Sequence, residues 1–447
     1  MKILKLTLVA VVLTGCSTSP TKTIPENCKA DIFKLTAEEE KYYEKPPTLK
    51  AHNIVPEFKL SGPHFKVAST VPTDGFLMQI KVESDFGTFE ASSPAALDEL
   101  IVEIAALEQL QNISKMDAFV GGMKHSLVAL GKDVKDIVTS PVQSISGIPA
   151  GIGRFFERTY LTTKTGIKAI GSNAVDDQRC GLGGKFPGEL DSPAVHAEKP
   201  NAATMTAKQT GKVAMNVLGY YEQRRALAKK LRVSPYTTNS VLSEELDSIA
   251  WASFSGGLGI SALKIAAPAT MIINMTSRTS SWVWDTKPGD LKVMDEESLQ
   301  DMGVAQESTD YFLRHRQYTV TLRHRLVLAL EQLKTTTGRK DILELALTVE
   351  SELQAQFVVE AVEMLAKYHQ TEKEIAKIGV NGTIIGHSIN GDIVTPAPVS
   401  YLSWNKRLKF FASKKDLQSK QKTILLGDGL ITPLAKQELA QLGWTIK

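Results

Sequence analysis

The sequence predicts an α+β fold: an N-terminal β-hairpin followed by helices, a predominantly helical middle with a long antiparallel helical hairpin, and a small β-rich module at the C-terminus. Three observations predict it. Apolar residues alternate from Phe76 to Val82, recur at three- and four-residue spacing from Leu97 to Leu107 and across Glu307 to Lys377, and alternate again around Asn390-Gly391. With 43% hydrophobic and 23% charged residues, a chain of 447 residues has enough apolar material for a substantial core. Lys and Arg number 52 against 49 Asp and Glu, so no global field steers nucleic acid and no nucleic-acid partner is expected. A mean hydropathy of -0.10 argues against a polytopic membrane protein.

Residues 1–15 read as an export signal: Lys2 and Lys5 precede the apolar run Leu6 to Leu13, which is too short for a permanent span. The run ends in Leu13-Thr14-Gly15-Cys16, which resembles the lipobox of bacterial lipoproteins. That resemblance implies cleavage before Cys16, acylation of its thiol and, because Ser17 rather than Asp follows, sorting to the outer membrane. An ordinary secretory signal is the alternative. Loss of Lys2 and Lys5 leaves a nearly neutral mature chain, and acyl chains worth about 0.8 kcal/mol per buried methylene anchor it without a polybasic patch. Of three cysteines only Cys28 and Cys180 then remain, a candidate disulfide in an oxidising compartment or a pair of free thiols. Closing that loop contributes roughly 4 to 5 kcal/mol in the chain-entropy model.

Residues 16–51, rich in Ser, Thr, Pro, Glu and Lys, read as a tether with a short helix near Ala37 to Tyr43. An α+β domain over 52–170 begins with the hairpin, whose Phe76, Met78, Ile80 and Val82 are expected to share a buried face. Ser93 as N-cap and Pro94 at the first helical position then open a helix burying Leu97, Leu100, Ile101, Ile104 and Leu107. Ser61-Gly62-Pro63-His64-Phe65-Lys66-Val67, Asp74-Gly75, Ser84-Asp85-Phe86-Gly87-Thr88-Phe89-Glu90, Glu103-Ile104-Ala105-Ala106-Leu107 and Asp117-Ala118-Phe119 resemble a recurring family of exported bacterial proteins. The resemblance spans roughly 55 to 160, extends to 215 to 260, and implies a domain without an assigned activity or catalytic residue.

Between 118 and 156, helical spacing of Leu127, Leu130, Val134, Ile137, Ile145, Ile148 and Ile152 is interrupted by Pro141, Gly147, Pro149 and Gly151. Broken helices around the core and a segment lying on a membrane both fit. Residues 171–201 form a linker or surface loop before a helical domain over 202–378. Its first helix, Ala207 to Leu231, is expected to bury Val213, Val217, Leu218, Tyr221 and Leu227 and to end in a solvated cationic turn of Arg224, Arg225, Lys229, Lys230 and Arg232. Residues 249–275 carry one charge, Lys264, and read as buried helices or a membrane-inserting hairpin. Thr335-Thr336-Thr337-Gly338 joins the two stretches of the helical hairpin, with Ile342, Ala346, Val349, Leu353, Phe357, Ala361, Met364 and Tyr368 on the inner seam. Over 379–447 the Asn390-Gly391 turn, a strand at Thr423 to Leu426, and Thr432-Pro433 capping a helix closed by Gly443 complete a small α/β module.

Motifs that carry chemistry are largely missing. Gly386-His387-Ser388 resembles the start of a nucleophile elbow, but Asn390 replaces the second glycine, and a hairpin turn fits better. Gly181-Leu182-Gly183-Gly184-Lys185 lacks the first glycine and the hydroxyl residue of a phosphate loop, and Gly427-Asp428-Gly429 lacks the third glycine of a dinucleotide site. No metal or cofactor motif appears, so neither is expected. The expectation is an outer-membrane lipoprotein acting as a non-enzymatic binding or scaffold component of the envelope, with an envelope protein as partner. Two alternatives are a lipid-contacting protein using 118–156 and 249–275, and a serine hydrolase using Ser388.

Cys16→Ala is expected to block fatty-acid labelling and to release the protein from the outer-membrane fraction; unchanged labelling and fractionation would contradict the anchor. In the exported protein, a nonreducing peptide map is expected to link Cys28 to Cys180, and alkylation of either in denatured, unreduced protein would exclude the bond.

Overall fold

The structure, a computed structural model, describes residues 35–114, 207–256, 260, 263, 265, 281–417 and 421–447. Cys16, Cys28, Cys180, the 118–156 segment, the 181–185 glycine run and residues 266–275 lie outside the described residues. The fold is α+β, with antiparallel strands at the N-terminal side and a mixed sheet at the C-terminal side.

Strands β1 (Thr48–Lys50) and β4 (Thr70–Pro72) pair antiparallel, and β2 (Ser61–Gly62), β3 (Phe65–Val67), β5 (Ile80–Ser84) and β6 (Gly87–Ala91) form a four-stranded antiparallel sheet. The β5–β6 hairpin closes where the Ser84 hydroxyl donates to the Gly87 carbonyl at 2.8 Å and accepts the Phe86 N–H at 3.1 Å. Met78, Ile80 and Val82 are buried together in the first core, but Phe76 is buried in a second one. The physical reason is a turn: Asp74 Oδ1 accepts the N–H groups of Phe76 and Leu77 at 2.8 and 2.7 Å, and Gly75 adopts φ +93. That turn lifts Phe76 and Leu77 off the strand line.

Helix α1 (Pro94–Ser114) starts as expected, with the Ser93 hydroxyl accepting the Ala96 N–H at 3.0 Å, and all five predicted residues of its apolar face are buried. It packs against α3 (Ser240–Gly256), which follows α2 (Ala207–Leu231). Two expectations for α2 fail. Tyr221 is exposed while Tyr220 is buried, and Arg224 and Arg225 are buried rather than solvated. Arg224 is drawn inward by specific acceptors: it donates to Pro235 O at 2.9 Å and Ser243 Oγ at 2.9 Å and pairs with Asp247. Lys230 likewise donates to the Ile260 and Leu263 carbonyls. The described start of the 249–275 segment is core, with Ile249 and Ala250 fully enclosed.

Trp284 of α4 (Trp282–Asp285) packs against the first core, whereas the second core is shared by α5 (Pro288–Asp301), α6 (Gln306–Leu313), α7 (Val320–Glu331), α8 (Arg339–Ala346), α9 (Glu352–Thr371) and the C-terminal strands. Each periodic stretch of the helical hairpin is divided by a capping residue: Thr319 Oγ1 accepts the Leu322 N–H, and Ser351 Oγ accepts the Gln354 N–H. The principal contact is between α7 and α9. Gly338, at φ +88, lies so close to β7 (Ile375–Val380) that a Cβ would stand 1.9 Å from the Ile378 carbonyl oxygen, so no side chain fits.

The five-stranded sheet runs β13 (Trp444–Ile446), β11 (Lys422–Leu425), β9 (Ile393–Pro396), β8 (Ile384–Ser388), β7; the first three are mutually parallel, and β8 is antiparallel to both β9 and β7. Helix α10 (Lys406–Ala412) precedes β11, and α11 (Pro433–Gln441) connects β11 to β13. Thr432 caps α11 through the Ala435 N–H, and Gly443 adopts φ +80 before the last strand, as the sequence indicates. The chain from residue 44 is pinned to this body: Glu44 Oε2 accepts the Trp404 N–H and the Thr432 hydroxyl, both at 2.6 Å.

Inside the second core Asp295 is fully buried, facing Arg323 Nε and His324 Nδ1 from α7. His324 in turn meets Trp282 edge to face at 4.3 Å. Asp295→Ala leaves Arg323 buried without its counter-charge and is expected to lose about 3 to 5 kcal/mol in urea unfolding. A loss below about 1 kcal/mol would show that the pairing is energetically neutral.

Candidate functional site

A cleft of about 500 Å³ opens where the two cores meet. One wall is the start of α1, from Ser92 to Asp98; the opposite wall is α9, through Leu353, Phe357, Met364 and Lys367. Loops 398–400 and 426–429, which follow the carboxyl ends of β9 and β11, complete it. Loops held at strand ends by a rigid sheet are where binding groups concentrate. The two loops touch because position 429 is glycine: a Cβ there would stand 2.2 Å from Val399 O. Gly427-Asp428-Gly429 does not open a helix directly. It leads into the two-residue strand β12 (Leu430–Ile431), parallel to β10 (Tyr401–Leu402), and the helix begins only after Thr432.

Among the described lining residues acidic groups outnumber basic ones: Asp98, Glu360, Glu363 and Asp428 against Arg325 and Lys367. Arg325 is engaged by Glu363 in a two-pronged pair at 2.8 and 2.7 Å. Burial opposes the guanidinium charge, yet the Glu363 hydrogen bond and the neighbouring carboxylates Glu360 and Glu99 hold its pKa above the ordinary value. Asp98 pairs with Lys59 at 2.6 Å, and Gln356 donates to Glu360 at 2.8 Å. Asp428 is exposed. Among the described residues the lining contains neither His nor Cys, and the Ser93 and Ser400 hydroxyls are taken by backbone groups. Such a surface can hold a cationic, partly apolar ligand.

Where α1 and α9 also approach the 237–239 turn, two more carboxyls are withdrawn from water. Glu103 accepts the Thr237 hydroxyl at 2.5 Å and the Asn239 amide at 3.0 Å, while Asn239 Oδ1 caps α3 through the Leu242 N–H. Burial pushes the Glu103 carboxyl up, against the pull of these two donors. Burial also raises Glu352, at the start of α9, to about 7; the Thr238 hydroxyl opposes the rise and Glu103 adds to it.

Of the site residues expected from sequence, Cys16, Cys28 and Cys180 lie outside the described residues. Ser388 belongs to β8, and its hydroxyl accepts the Asp392 N–H at 3.1 Å across the Asn390-Gly391 turn, which is the geometry of a hairpin residue. Among the described residues no group of three or more His, Cys, Asp and Glu could hold a metal ion, and no helix is long and apolar enough to cross a membrane. No sequence motif marks the cleft as a whole; the sequence indicates parts of it in the Ser93-Pro94 cap, the inner-seam residues Leu353, Phe357 and Met364, and the Gly427-Asp428-Gly429 run. No family model, curated protein or solved structure matches the chain.

The Glu352 shift predicts a pH dependence. Its folded pKa lies above the ordinary 4.5, so the folded chain holds an extra proton between pH 4.5 and about 7. The group's contribution is therefore fully present below pH 4.5 and is lost as pH rises through about 7, on the order of 3 kcal/mol in all. Glu352→Gln should stabilise the protein at pH 8 and change little at pH 4.5, read from urea midpoints; an equal change at both pH values would contradict the assignment.

Proposed function

We propose that the protein is an outer-membrane-anchored lipoprotein acting as a non-enzymatic binding component of the bacterial envelope, and that it holds a basic, partly apolar peptide segment of an envelope partner in the cleft between its two cores. The observation that carries the binding reading is the cleft of about 500 Å³, whose walls come from both cores and whose charged groups are mainly carboxylates. Attachment through Cys16 rests on the Leu13-Thr14-Gly15-Cys16 sequence. Apolar positions such as Leu353, Phe357 and Met364 offer side-chain contacts between the charges, the composition expected for a peptide rather than a bare ion.

A photo-crosslinking residue placed at Asp428 in living cells is expected to capture a discrete envelope polypeptide, and the same residue at the exposed Ile389 to capture none. Equal capture at both positions, or none at either, would contradict binding at the cleft.

A further inference from the structure

A second cavity, separate from the cleft's charged walls, lies beneath α10. Register pairs put Ile393, Thr395, Lys422, Ile424 and Trp444 on one face of the five-stranded sheet. Trp444 Nε1 donates to Ala412 O at 3.0 Å and its ring meets Phe411 at 5.4 Å, which places α10 on that face. Gly386, paired with Val394 on the opposite face, approaches Leu365 of α9 instead. Between α10 and the sheet remains a cavity of about 60 Å³ walled by Phe76, Leu402, Leu408, Phe411 and Ile424. That volume holds about four to six water-sized atoms.

Two features of this cavity fit no purely structural purpose. Thr383 and Thr395 both line it, both are more than nine-tenths buried, and neither Oγ1 has a hydrogen-bond partner among the described residues. A buried hydroxyl left unpaired destabilises a fold, and valine would fill the same volume without that cost. The rim is cationic: Arg407 and Lys414 line it, and the Lys414 ammonium, held by Asn381 Oδ1 at 2.7 Å, reaches over Gly382 next to Thr383. Burial lowers the Lys414 pKa, while Asp416 opposes the fall. Phe410, exposed at 38%, stands at the same mouth.

We infer that this cavity is a binding site for a small soluble monocarboxylate with a short acyl chain: the chain enters the apolar space, and the carboxylate accepts hydrogen bonds from the threonine hydroxyls and charge from the Lys414 and Arg407 rim. The apolar walls exclude a bare inorganic anion as the best fit, and the cationic rim excludes an amine.

The test uses the full chain held in an amphipol, with sodium butanoate and sodium hexanoate as probes and hexylamine as the charge-reversed control. Saturation-transfer NMR is expected to show saturable, single-site binding of the carboxylates and none of the amine. Thr395→Val and Thr383→Val should each weaken hexanoate at least fivefold and, in ligand-free protein, raise Tm, because each removes an unpaired hydroxyl. Lys414→Gln should weaken hexanoate about tenfold while leaving residual binding in the apolar space. Equal binding of hexylamine, unchanged affinity in both valine variants, or a lowered Tm in both would overturn the site. Absence of hexanoate binding together with flotation on phosphatidylglycerol vesicles that the valine variants abolish would also overturn it, and would assign the cavity to a membrane lipid.

Discussion

The two cores are joined through a few polar atoms around Ser400. Its hydroxyl donates to the Ser92 carbonyl at 2.6 Å and accepts the Met78 N–H at 2.8 Å, while the Tyr401 N–H reaches the Phe76 carbonyl at 3.0 Å. One side chain thus ties the entry to α1, the end of the Asp74 turn and the loop after β9. The same turn drives Phe76 and Leu77 into the C-terminal core, so polar bonds and apolar burial act on one short segment. Each such bond contributes about 1 kcal/mol net, but leaving its buried partners unpaired costs more. The junction therefore resists opening more than its small number of contacts suggests.

The cleft inherits its shape from this junction. Ser92, Leu77 and Ser400 are at once the joint and part of the lining. On the far wall, the Arg325–Glu363 pair fixes α7 against α9. A ligand that bridges the walls meets groups already held in position, which limits the entropy lost on binding. The small cavity under α10 is a different kind of site. It belongs to one core alone, and its threonines, unpaired among the described residues, mark a place where stability is given up.

Local signals were the legible part of the fold. The β5–β6 hairpin, the Ser93-Pro94 and Thr432-Pro433 caps and the apolar face of α1 each depend on residues within a turn or two of one another. The breaks at Thr319 and Ser351 were equally local, yet the apolar period continues across them, so periodicity alone joins the helices that the caps separate. Burial of Arg224 was not legible, because Asp247 and Ser243 lie on the next helix and charge alone argues for solvent. The cleft was least legible of all. Met78 and Ser400 are 322 positions apart, and no spacing rule connects them.

Native-state hydrogen exchange of wild type and Ser400→Ala tests the joint most directly. If this hydroxyl couples the cores, the Met78, Tyr401 and Leu430 amides will lose protection together, by about tenfold or more, while amides inside α9 keep theirs. Unchanged protection at all three, or a uniform loss extending through α9, would contradict a joint centred on Ser400.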